Sequence, residues 1–168
     1  MKFIADANLL SEPTKPEPAP QVVDWLRLHE EHLVVTPVIL GELEYGILLL
    51  PASKRKKQLE MWFEKIRSTA RCLDFDSKVA SSWAHLLAHL KSKGHAMPIK
   101  DSLIAASAIA HNLTVATRNT RDFKNANVPL INPFETNCNV GEMIDKPFHI
   151  PDSAFAPLTN KELAEWGI

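Results

Sequence analysis

The spacing of apolar residues changes period repeatedly along the chain. Residues 3–5 (Phe-Ile-Ala) form a short continuous apolar run, the pattern of a buried strand, and it stops at a carboxylate, Asp6. Residues 13–20 carry four prolines and read as an extended loop. Over residues 21–32 the apolar positions Val22, Val23, Trp25, Leu26 and Leu28 fall on a helical face. Residues 33–36 (Leu-Val-Val-Thr) read as a second strand. Pro37 then suits the first turn of a helix carrying Val38, Ile39, Leu40, Leu43 and Ile47. Residues 53–70 form a long amphipathic pattern with a basic start, Lys54 to Lys57, and apolar Leu59, Met61, Trp62, Phe63 and Ile66. Residues 72–75 read as a short strand, and Asp76 is placed to cap a helix that runs to Lys93 and stops at Gly94. The run LIAASAIA within a helix beginning at Asp101 is rich in small side chains, suited to close packing on a sheet. Residues 114–117 and 128–131 complete the strands, the last ending at Asn132-Pro133-Phe134.

Strands alternate with helices throughout, which predicts a three-layer α/β/α domain with a mainly parallel sheet. Crossover connections of one hand then set the C-terminal ends of the strands along one edge, where α/β folds build their sites.

The composition is that of a soluble globular domain: 168 residues, 45% hydrophobic and 23% charged. No apolar run approaches the ~18 residues that span a bilayer, and the N-terminus lacks a signal-peptide pattern. Cys72 and Cys138 form no C-x-x-C, which predicts free thiols and a cytoplasmic protein without membrane attachment. Charge is uneven. Six acids and two lysines put −4 on residues 135–168, so the chain total of −1 leaves +3 on residues 1–134.

Against this pattern the acids stand out by position. Asp6 follows the first strand, Glu42 lies early in the helix after the second, Asp101 begins the small-residue helix, and Asn119 and Asp122 follow the strand at 114–117. Each alone has an ordinary reading: a turn end for Asp6, a solvated helix face for Glu42 and Glu44, an N-cap for Asp101, a helical-turn cap for Asp122. As a set they would converge on one sheet edge. At ~4 Å and an effective dielectric of ~20, each like-charged pair costs roughly 4 kcal/mol. Three pairs, on the order of 12 kcal/mol, would rival a domain's whole stability of ~5–15. Such a cluster calls for a hard divalent cation, and a carboxylate-held Mg²⁺ or Mn²⁺ on a mildly basic body suits phosphodiester hydrolysis.

The stretches IADANLLSE (4–12), VILGELEYG (38–46), IKDSLIAASA (99–108) and VATRNTRDF (115–123), with the close INPF (131–134), resemble a PIN domain, and within it the VapC and FitB toxins of toxin–antitoxin systems. The resemblance implies a parallel sheet flanked by helices and Mg²⁺- or Mn²⁺-dependent endoribonuclease activity. It also implies a homodimer and a cognate antitoxin as partner. It carries Asp6, Glu42 and Asp101 onto the family's core acids and metal ligands. The fourth family acid falls on Asn119, an amide, with Asp122 three residues on as its substitute. Thr117 and Asn8 match residues that support the site by hydrogen bonding. With an amide at 119, one ion is held well, and a second enters only when RNA phosphate adds oxygens. Neutralising the core acids is expected to leave the fold intact, because it relieves repulsion.

The resemblance covers residues 1–134 as a nuclease domain and leaves residues 135–168 as an acidic extension. There Thr159 and Glu162 form a capping box, with Phe155, Leu158, Leu163 and Trp166 as apolar anchors. This segment is expected to dock on the body or to occupy the antitoxin groove. Other signals carry less. His85 and His89 have zinc-ligand spacing but no third ligand. Lys54–Lys57 read equally as a phosphate contact or a solvated helix start. Trp25, Trp62 and Trp83 fit core positions. A phosphatase would want an aspartate at position 8, where Asn stands, and a receiver domain fits the helix at Asp101 poorly. The rival from another class is a degenerate PIN domain that binds partners without cleaving RNA, which Asn119 favours.

Overall fold

The structure, a computed structural model, describes residues 2–135. The expected helix and anchors of the acidic extension therefore lie outside the described residues. Four strands form one parallel sheet: β1 (Phe3–Ala5), β2 (Leu33–Val34), β3 (Thr114–Ala116) and β4 (Leu130–Ile131), in the order β2-β1-β3-β4. In β1, Phe3 pairs with both Leu33 and Thr114, and Ile4 with Val34 and Val115. Successive strand residues face opposite sides of a sheet. Ile4 and Ala5 are both buried, as are Val115 and Ala116, so both faces are covered and the architecture is the expected three-layer α/β.

The helices are α1 (Ala7–Leu10), α2 (Pro20–His29), α3 (Pro37–Leu48), α4 (Lys54–Thr69), α5 (Ser77–Ser92), α6 (Ile99–His111) and α7 (Thr120–Phe123). Their starts follow local chemistry. Ser53 accepts from Lys56 N at 3.1 Å and Asp76 from Val79 N at 2.9 Å, each satisfying an amide that the helix leaves unpaired. Pro37 opens α3 behind Thr36. Beyond α5, Gly94 has φ 69°, the left-handed conformation that ends a helix. Small residues do their expected work in α6: Ala105, Ala106 and Ala108 are buried, and Ala106 and Ala110 meet Val79 and Trp83 of α5. Trp83 Nε1 donates to Ser102 Oγ at 2.9 Å across that contact. Trp25 and Trp62 are core residues.

Several local expectations differ. The strand expected at 72–75 is reduced to one parallel bridge, Cys72 with Val35. Val35 N donates to Arg71 O and Leu73 N to Val35 O, after which the chain leaves the sheet edge to reach the Asp76 cap. The helix expected over 21–32 ends at His29 and finishes in a 3₁₀ turn at Glu30–His32. A second 3₁₀ turn, Glu12–Thr14, opens the proline loop, pinned by buried Glu12, which accepts from Ala19 N and Lys15 Nζ. Helix α6 starts two residues before Asp101, with Pro98 at the N-cap, so Asp101 lies within the first turn and is not a cap.

Candidate active site at the carboxyl edge of the sheet

Asp6 leaves the end of β1, its amide still paired with Ala116 O at 3.0 Å. It is buried, and its carboxylate is the hub of a clamp. Oδ1 accepts from Ala7 N at 2.7 Å. Oδ2 accepts from Asn8 Nδ2 and from the buried Thr117 hydroxyl, each at 2.5 Å. Asn8 also donates to Thr117 Oγ1 at 3.2 Å and accepts from Arg118 N at 3.1 Å. Thr117 Oγ1 in turn accepts from Asn119 N at 3.0 Å. The ends of β1 and β3 are thus tied together by side chains, and Asn8 and Thr117 have the supporting role expected of them. Burial pushes the Asp6 carboxyl above its ordinary value, helped by the Glu42 charge and opposed by the bonds from Thr117, Ala7 and Asn8.

Asp101, in the first turn of α6, is raised to about 6. Burial is the largest cause, followed by the charges of Asp122, Asp6 and Glu42, with Lys100 acting the other way. A carboxylate at a helix N-terminus is ordinarily favoured by the helix dipole, so the neighbouring negative charges and burial win here. Four acids from α1's cap, α3, α6 and α7 therefore act on one locus. Asp122 is the strongest of the charges on Asp101, although it lies in α7 beyond the position of the fourth acid. Asn119 Nδ2 donates to Asp122 Oδ2, which fixes that carboxylate from within its own turn. Glu42 engages Lys100, whose Nζ donates to its Oε1. Nothing in the periodicity pointed to Lys100. The only signal was its place beside Asp101.

The donor set is all oxygen: carboxylates, the Asn119 amide and hydroxyls, which fits a hard divalent cation such as Mg²⁺ or Mn²⁺. Burial and the Glu42 charge raise Asp6, and burial with the charges of Asp122, Asp6 and Glu42 raises Asp101, an excess of negative charge that a cation held here would offset. Among the described residues no three His, Cys, Asp or Glu side chains are gathered as a ligand group. His85, whose Nδ1 sits 2.8 Å from Ser81 O on its own helix, and His89 join no such group either. Among the same residues, no helix is long and apolar enough to cross a membrane.

The chain matches the PIN domain family over residues 3–128. It is 38% identical to the plasmid stability protein StbB of Pseudomonas syringae, over 79% of this chain and 99% of that protein. It is 36% identical to toxin FitB of Neisseria gonorrhoeae, over 79% and 98%. A VapC ribonuclease of Sinorhizobium fredii is also 36% identical, again over 79% and 98%. In structure it resembles FitAB bound to a DNA fragment, with TM-score 0.74 and 34% identity over 79% of this chain and 96% of that one. It also resembles a member of the VapBC family of toxin–antitoxin systems from Mycobacterium tuberculosis, with TM-score 0.58 and 25% identity over 77% and 97%. With its parallel sheet, its acids at the carboxyl edge and these relatives, the chain belongs to the PIN domain family, alongside toxins of the VapC and FitB type.

Proposed function

We propose that this protein is a metal-dependent endoribonuclease and the toxin of a toxin–antitoxin pair. The observation that carries the reading is the group of acids acting on Asp101 from separate elements at the carboxyl edge. The ribonuclease and toxin names of relatives at 36% identity support RNA as substrate. FitAB and VapBC assemblies among the structural neighbours support a cognate antitoxin and an oligomeric assembly.

Asp6, Glu42 and Asp101 would hold Mg²⁺ or Mn²⁺. When bound, the ion lowers the pKa of an attacking water and neutralises charge on the scissile phosphate. Asp6 needs no reorganisation to serve, because Thr117, Asn8 and the Ala7 amide already fix both of its oxygens. Asp101, half-neutralised near pH 6, becomes a full carboxylate when a cation offsets its neighbours. Asp122, held by Asn119, adds negative charge close to Asp101 where the matched acid position offers only an amide.

The test is cleavage of RNA by purified protein with Mg²⁺, alongside calorimetric titration with Mn²⁺. Wild type is expected to bind Mn²⁺ and cut RNA, and Asp101→Asn to lose cleavage. If Asp101→Asn cuts at the wild-type rate, the site assignment is wrong. The amide at 119 also favours a second reading, a degenerate PIN domain that only binds partners. Wild type that neither binds Mn²⁺ nor cleaves RNA would establish it.

A further inference from the structure

Lys100 and Asp101 are neighbours in the first turn of α6, and Lys100 reaches across to Glu42 on α3. The bond joins residues 58 positions apart. It differs in kind from Arg67–Glu64, which pairs neighbours on one helix and is exposed on both sides. Lys100 is 64% exposed, whereas Glu42 is only 22% exposed. One end of the pair is thus a solvated ammonium, and the other is an acid assigned above to the metal. A carboxylate oxygen accepting a bond from an ammonium is not open to a cation from that side, and the ammonium itself repels a divalent ion.

We propose that Lys100 is a positioning residue, an internal counterion that holds Glu42 when no divalent ion is bound and competes with that ion for it. Metal loading then includes an exchange: Glu42 leaves the ammonium as the cation arrives, and Lys100 is released to solvent beside the site. A lysine suits this exchange better than an arginine, because its ammonium is a compact, strongly hydrated charge that returns readily to water. The inference rests on the function proposed above.

It is tested by Mn²⁺ calorimetry on metal-stripped protein at low salt, comparing wild type, Lys100→Met, Lys100→Arg, Glu42→Gln and the double variant Glu42→Gln/Lys100→Met. Exposed pairs are weak, so Lys100→Met should tighten Mn²⁺ by only about two- to fivefold. Lys100→Arg, which keeps the charge but gives up Glu42 less readily, should bind Mn²⁺ no tighter than wild type. In the Glu42→Gln background Lys100→Met should tighten Mn²⁺ distinctly less than it does in wild type, because only the general repulsion of the ammonium is left to remove. A second readout is thermal unfolding: Lys100→Met should melt below wild type without metal, and the gap should close as Mn²⁺ is added. Unchanged or weaker Mn²⁺ binding by Lys100→Met would overturn the inference while leaving the proposed function standing. So would equal tightening in the Glu42→Gln background, which would mark Lys100 as a general positive charge. Failure of wild type to bind Mn²⁺ would overturn both.

Discussion

The three core acids do not respond alike to neutralisation. Sequence reasoning expects each change to an amide to leave the fold intact, since repulsion is relieved. At Asp101, where burial and the neighbouring acids outweigh the Lys100 charge, the surroundings agree with that expectation. At Asp6 the structure opposes it. Both carboxylate oxygens accept bonds, and an amide in place of Oδ2 would set an N–H against Asn8 Nδ2. Asp6→Asn should therefore weaken the fold as well as any metal binding, and is a poor choice as a clean catalytic control. The same clamp can be probed from its far side. Thr117→Val keeps the shape but removes a fully buried hydroxyl that donates to Asp6 and accepts from Asn119 N and Asn8. It should lower stability by about 1–3 kcal/mol in urea unfolding, because the buried Asp6 carboxylate loses a donor. Asn119→Asp should tighten Mn²⁺ on the order of tenfold by adding a charge beside the locus. Titration showing equal or weaker affinity would place residue 119 outside the ion's surroundings.

Elements are set mostly by local signals, and the site depends on where those elements begin. Asp76 starts α5 by accepting from Val79 N, and α5 packs on α6 through Val79, Trp83, Ala106 and Ala110. Asp76→Ala should cost about 1 kcal/mol of stability by thermal or chemical unfolding, and Asp76→Asn much less, since an amide oxygen still caps. Neither should change Mn²⁺ affinity, because the cap is remote from the acids. The start of α6 shows the limit of local reading. Asp101 has the chemistry of an N-cap, yet the helix begins at Ile99. Pro98 is already extended and cannot continue a helix backward, so the turn starts directly after it. That two-residue difference places Lys100 as well as Asp101 within the first turn.

For the whole molecule, the raised Asp101 carboxyl links charge to stability. In metal-free protein its pKa rises from 3.8 to about 6. Between those values the folded chain keeps a proton that the unfolded chain has lost, so this group makes stability fall as pH rises through the window. Above it the penalty is complete. Because Asp101 is only partly buried, the effect is on the order of 1 kcal/mol once screening is allowed for. Asp101→Asn should therefore melt ~3 °C above wild type at pH 7–8 in EDTA. The gap should close as the pH drops below 3.8, where both states of the wild type become protonated. Mn²⁺ affinity should weaken as pH drops through about 6, since a proton then competes for the same carboxyl. The acidic extension belongs to this scale too. Matched relatives are covered to 98–99% of their length by 79% of this chain, and the described sheet is complete at Ile131. A protein ending at Glu135 should fold, with a melting temperature close to that of the full chain. Loss of cooperative unfolding would show that the extension is part of the core.

The alternation of apolar periods, the proline at the start of α3, the caps at Ser53 and Asp76 and the glycine beyond α5 each act within a few residues, so sequence alone determined the α/β class and most of the elements, though not the lone bridge at Cys72. It also placed acids at the ends of those elements, because a strand's last residue is a matter of local pattern. It could not decide the partners of those acids. Thr117 meets Asp6 across 111 positions only because β3 lies beside β1. Lys100 meets Glu42 across 58 only because α6 sits beside α3. Asp122 outweighs Asp6 and Glu42 in its effect on Asp101 because α7 packs against α6. Electrostatic energy depends on distance through space, and that distance is fixed by sheet order and helix packing rather than by separation along the chain.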